Sequence, residues 1–227
     1  MAVTRPKNPV FMQLLAAWRR EMSGFRRWIN KAYLRDLDQR WYHGGLRGVT
    51  GSIGETADYL GCMMSACRTG RTVVFGSSMG GYAALLFGSL VRANAVHAFS
   101  PHTWLRDRRS IRNRDKLKAL HDGFSGEYFD LSDVPGTSAG SGEDHVYYDV
   151  TDRKDRRQVA RLEARGRLQL QLHPYKGGGH NLVKYLKASG ELEKLVIASL
   201  KGLPYEPRTD IPLRRSLLHR LLGRRVA

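Results

Sequence analysis

The sequence predicts an α/β protein with a mostly parallel sheet flanked by helices. Two observations carry this expectation. Five short segments have strand character, at 31–37, 71–76, 94–100, 145–150 and 167–174, and helical segments follow four of them. Strands alternating with helices of about 10–15 residues are the pattern of βαβ units, whose parallel sheet is covered by helices on both faces.

The elements follow in order. KAYLRDL (31–37) leads through the loop WYHGGLRGVTGS to a helix at about 53–67. RTVVFG (71–76) runs into GGYAALLFGSLV, a glycine corner followed by helix formers. NAVHAFS (94–100) has no helix close behind it; residues 101–144 intervene and end in VPGTSAGSGED. A connection of that length inside a compact domain reads as a functional insertion, here a cap over a site. HVYYDV (145–150) precedes the helix DRRQVARLEARG. In RLQLQLHP (167–174) the leucines at 168, 170 and 172 alternate as on a half-buried strand, and NLVKYLKAS and ELEKLVIASLKG follow as helices. Ahead of this core, residues 9–22 form an amphipathic helix, with Phe11, Leu14, Leu15, Trp18 and Met22 on one face. Beyond it, PYEPRTDIP is a linker and LRRSLLHRLLGRR a basic amphipathic helix. The domain expectation is therefore an N-terminal segment 1–30, a core 31–203 with 101–144 inserted, and a tail 204–227.

Composition narrows the class. The 227 residues suffice for one domain with a substantial core. Cys62 and Cys67 lie five apart on a helix and so on different faces, which reads as free thiols in a reducing compartment. No run reaches the roughly 20 apolar residues of a membrane span, and no export signal is apparent, so the expected location is cytoplasmic. No histidine has ligand-like spacing with acids or cysteines, and no metal or other cofactor is expected.

The chemistry centres on Gly76-Ser77-Ser78-Met79-Gly80, a G-x-S-x-G placed between a buried strand and a helix. A sharp strand-to-helix turn strains the serine backbone and brings its neighbours close together, which favours glycine at 76 and 80. Ser78 Oγ would project above the strand ends, and the Met79 N–H would point at a developing oxyanion. A phosphate-binding loop is the alternative, but neither Walker spacing nor G-x-G-x-x-G is present.

A serine nucleophile needs a base. Of eight histidines, His180 stands out, because it follows the fifth strand through Gly177–Gly179 and precedes a helix. An acid must orient it, and YYDVTDRKD offers Asp149, Asp152 and Asp155. Asp149 still falls in the strand. Asp152, two residues beyond, is the chosen partner, with Asp155 a close rival and helix capping the alternative role for any of them.

The order Ser78, Asp152, His180 is the chain order of α/β-hydrolases. From about Lys31 to Gly202 the chain resembles that family through FGSSMGGYAALLFG, the acid after HVYYDV, and GGGHN. It is similar to small bacterial members that combine SMGGYAALLFG with WYHGGL and AFSPHT. The resemblance implies a compact α/β-hydrolase fold, here with an inserted cap and a truncated N-terminal part, and a Ser-His-Asp triad. It also implies a second oxyanion donor from a loop after an earlier strand. The HGG at 43–45 resembles the HGGG oxyanion motif of some lipases but follows the wrong strand; a plain turn is the alternative.

The function expected is hydrolysis of an ester or related acyl bond. A non-catalytic protein of the same fold that binds an acidic ligand, partner or membrane surface is the alternative. The formal net charge is +17, and 106–118 (RDRRSIRNRDKLK) sets seven basic residues against two acidic ones. That excess suits an anionic acyl substrate or a solvated helix face. The tail's leucine stripe and arginines suit peripheral contact with an anionic membrane. Nucleic acid has charge to meet but no reader motif.

Overall fold

The computed structural model describes residues 29–109, 111, 114–135, 142–164 and 170–206. The expected helix at 9–22 and the basic tail helix lie outside these residues. Tyr33–Leu182 form one compact unit, and the described residues 29–32 and 183–206 belong to a second.

The first unit is built on a four-stranded parallel sheet in the order β1-β2-β3-β4, with β1 Val73–Ser77, β2 Ala95–Phe99, β3 Glu143–Asp149 and β4 Leu170–Tyr175. The helices are α1 (Ile53–Ala66), α2 (Met79–Leu90), α3 (Arg114–Gly123) and α4 (Arg153–Ala164). Parallel neighbours need crossovers, and α2 and α4 supply two of them, packing on β1, β2 and β3.

The period of two separates the sheet's faces. Val74, Val96, Ala98, Val146 and Leu172 meet α2 and α4 in one apolar cluster with Leu85, Leu86, Val159 and Leu162. The other face carries stacked rings: Phe75 on His97 (4.9 Å), His97 on His145 (4.7 Å), and Tyr147 on His173 (4.5 Å). His97 Nδ1 lies 2.9 Å from the Tyr147 hydroxyl, and His145 Nδ1 lies 3.0 Å from His173 Nε2. These histidines therefore have structural partners within the sheet.

The segment between β2 and β3 contributes to the same core. Leu105, Ile111, Leu117, Leu120, Phe129 and Leu131 are buried. Gln158 of α4 pins its start, accepting from the backbone N–H groups of Thr103 (2.7 Å) and Trp104 (2.8 Å).

The strand expected at 31–37 does not form. Tyr33 and Leu37 are more than half exposed, so no buried face rewards an extended pairing. Instead the Asp36 carboxylate accepts from the N–H groups of Asp38, Arg40 and Tyr42 and winds the chain into a turn.

In the second unit, α5 (Leu182–Ser189, beginning at the boundary) and α6 (Glu191–Lys201) are separated by Gly190 in the left-handed region (φ 78°). Leu192 and Leu195 of α6 are buried, and Tyr205 donates to Glu191 Oε2 at 2.5 Å. Among the described residues no helix is long and apolar enough to cross a membrane.

Candidate active site

Ser78 sits between β1 and α2 with φ 57° and ψ −116°, backbone space that a non-glycine residue enters only under constraint. Two contacts impose it. The Ser78 N–H donates to Phe99 O at 2.9 Å, and a Cβ on Gly76 would lie 1.9 Å from Gly80 O. Glycine at 76 is therefore the condition for the corner. The Ser78 side chain makes no capping bond to α2, which leaves its hydroxyl free to face elsewhere.

It faces His180. Ser78 Oγ is 2.8 Å from His180 Nε2, and His180 Nδ1 is 2.6 Å from Asp155 Oδ1. With Nδ1–H donating to the carboxylate, Nε2 carries the lone pair that accepts the hydrogen bond of the serine hydroxyl. Ser78 comes from the β1–α2 corner, Asp155 from the first turn of α4, and His180 from the loop after β4. All three lie at the carboxyl ends of the strands, where sites of open α/β sheets collect. The Asp155 side chain is 3% exposed and that of His180 39%. Asp155 is thus shielded, while the imidazole stays open to an incoming group. Among the described residues Asp155 Oδ2 is buried without a hydrogen-bond partner, and Oδ1 meets His180.

Asp152, the carboxylate chosen from the sequence, is placed differently. It is the residue before α4, and its Oδ1 accepts from the N–H groups of Lys154 (2.8 Å) and Asp155 (3.2 Å). It caps the helix that delivers Asp155. The physical reason is rotation: three residues further on, the first helical turn has swung the side chain inward, which the count from the strand end does not reveal.

Asp149, read from the sequence only as a strand residue, is 1% exposed and accepts four hydrogen bonds. Two come from Thr151 and two from the Gly177 and Gly179 N–H groups of the loop that carries His180. No local sequence pattern signals this role, because the glycine partners lie 28 and 30 positions further along the chain.

The sequence also gave no role to Trp41 and His102. Trp41 Nε1–H donates to His102 Nδ1 at 3.1 Å, and the His102 ring stacks on His180 at 5.7 Å and 15°. This bond fixes the His102 proton on Nε2. Burial, with His180 close by, pushes the His102 pKa down to about 3, so the ring is neutral near pH 7.

The HGG at 43–45 forms a turn. His43 Nε2 donates to the Tyr82 hydroxyl (3.0 Å), which donates to Tyr128 O (2.9 Å), and burial pushes the His43 pKa down to about 4. A Cβ at Gly45 would meet Thr50 O at 2.4 Å. The histidine's polar edge is thus committed to the core.

In the basic segment, Asp107 pairs with Arg157 (2.8 Å) and Lys118 with Asp122 (2.6 Å). A separate cavity of about 830 Å³ carries Arg92, Arg106 and Arg161 beside Glu127, Asp130 and Asp133. Arg161 is paired with Asp130 at 2.6 Å, so the lining mixes both signs. Among the described residues no cluster of metal-ligating side chains occurs.

No family model and no curated protein matches the chain. Solved structures do. A 2,6-dihydroxy-pseudo-oxynicotine hydrolase matches over 70% of this chain and 50% of its own, at 16% identity and TM-score 0.52. The capsule O-acetyltransferase of Neisseria meningitidis serogroup A matches over 64% and 62%, at 17% identity and TM-score 0.48. A carboxylesterase of Nitrososphaera gargenis matches over 69% and 74%, at 12% identity and TM-score 0.44. The chain spans about half the length of the first and under two thirds of the second. The parallel sheet, the serine corner after β1 and the structural likeness together establish that the chain has the α/β-hydrolase fold.

Proposed function

We propose that the protein is a serine hydrolase that cleaves an ester or related acyl bond, with Ser78 as nucleophile, His180 as base and Asp155 as the orienting acid. The observation that carries this reading is the continuous path Ser78 Oγ to His180 Nε2 (2.8 Å) and His180 Nδ1 to Asp155 Oδ1 (2.6 Å). Ser78 attacks the acyl carbonyl while Nε2 takes its proton, and the resulting imidazolium is stabilised by Asp155. The same proton then passes to the leaving group. An acyl-serine remains, and water or another acceptor resolves it with His180 again as base.

The tetrahedral oxyanion needs donors in place before the reaction. Met79 opens α2, so its N–H lacks an intrahelical acceptor and the helix end adds positive potential. We assign it as one oxyanion donor.

Hydrolysis of short-chain p-nitrophenyl esters tests the assignment. Turnover should exceed the buffer rate and vanish in Ser78→Ala and His180→Ala. Equal turnover by the folded variants would overturn it.

A further inference from the structure

Asp149 ends β3, and its carboxylate is filled on both sides. Oδ1 accepts from the Thr151 N–H (2.8 Å) and hydroxyl (2.7 Å), and Oδ2 accepts from the Gly177 N–H (3.1 Å) and Gly179 N–H (2.7 Å). The loop meets this oxygen by an unusual backbone course. Gly177, Gly178 and Gly179 have φ of 117°, 93° and 55°, and the amides of Gly177 and Gly179 converge on this one oxygen. The adjoining strand end is closed by the Val150 N–H donating to Tyr175 O at 2.9 Å. Thr151 lies on the path to Asp155, and Gly179 directly precedes His180. One buried carboxylate therefore grips both the turn that leads to the acid and the loop that carries the base.

We propose that Asp149 is a positioning residue that sets the spacing between Asp155 and His180, and through it the aim of His180 at Ser78. The proposal rests on the serine-hydrolase reading above. An uncharged acceptor is no substitute. Asparagine matches the shape, but its NH₂ would face either the two glycine N–H groups or the Thr151 pair, so one pair loses its acceptor. The loop then relaxes, and a displacement of even an ångström in a reacting group is costly.

Labelling of the full chain with a fluorophosphonate, followed in time, separates this role from a purely structural one. The amplitude counts folded, competent molecules, and the rate constant reports how well the serine is activated. Asp149→Asn should keep most of the amplitude and lose roughly 10- to 100-fold in rate constant. A rate constant equal to wild type overturns the positioning role while leaving the hydrolase reading intact. A folded wild type that never labels overturns both. Should Asp149→Asn fail to fold, hydrogen exchange of the wild type decides: protected Gly177 and Gly179 amides support the clamp, and exchange at open-loop rates overturns it.

Discussion

At the scale of single residues, two aspartates three positions apart have been given opposite work. Asp152 satisfies N–H groups at the start of α4, and Asp155 holds the His180 ring. Asp155→Asn would leave the packing intact but favour the wrong imidazole tautomer, so kcat should fall by about 10³- to 10⁴-fold. Asp152→Asn retains a good capping group and should keep activity per folded molecule; Asp152→Ala should cost about 1 kcal/mol in stability. Ester turnover read beside urea midpoints checks all three. A large loss of rate in Asp152→Asn with Asp155→Asn near normal would reverse the assignment. The sequence made the neighbourhood legible here but not the residue: the carboxylate that meets His180 was bracketed within seven positions at the end of the strand before the histidine strand. Which carboxylate turns inward depends on where the first helical turn closes, and that is decided by the cap itself. The clamp by Asp149 and the Trp41–His102 contact were illegible for another reason: each joins positions far apart in the chain and has no local pattern.

Elements were more readable than residues. The four strands that form fall on the apolar runs at 71–76, 94–100, 145–150 and 167–174, because each has a core face to bury. The apolar residues of 31–37 have no such face, and Asp36 turns the chain there instead. The β1–α2 corner was readable as well, but its steric requirement falls on Gly76 and not on Gly80: a Cβ at 76 would meet Gly80 O, whereas a Cβ at 80 would meet nothing within 4 Å. Gly76→Ala tests that requirement. A Cβ placed 1.9 Å from Gly80 O requires the backbone of the corner to move, and the loss should be several kcal/mol, at or above the ~3 kcal/mol of severe single substitutions. Thermal unfolding of the variant checks it, and a Tm within a few degrees of wild type would refute the steric account. Gln158 makes a second case at this scale: Gln158→Leu strips the Thr103 and Trp104 amides of their acceptor. It should destabilise by about 2–4 kcal/mol.

Across the whole molecule, buried neutral histidines tie stability to pH. Burial pushes His43 and His173 down to about 4 and His102 down to about 3, from an ordinary value near 6.5. Below about pH 6.5 the unfolded chain takes up protons that the folded chain refuses, so stability is full above that pH and falls as pH drops toward 4. Each such group contributes a slope of up to about 1.4 kcal/mol per pH unit inside the window. Urea unfolding at pH 7.5 and pH 5 should therefore differ by on the order of a few kcal/mol, in favour of pH 7.5. Equal stability at the two pH values would show that these rings accept protons in the folded state. The same neutrality matters to the site, because a charged His102 stacked on His180 would oppose the imidazolium that acylation requires.

The proposed chemistry depends on activation of the corner hydroxyl by the imidazole beside it. Intact-mass measurement of the protein after exposure to a fluorophosphonate, followed by peptide mapping, addresses this directly. A single adduct on Ser78, absent in Ser78→Ala and strongly slowed in His180→Ala, is the predicted result. A folded wild-type protein that stays unmodified, or that carries the adduct on another residue, would contradict it.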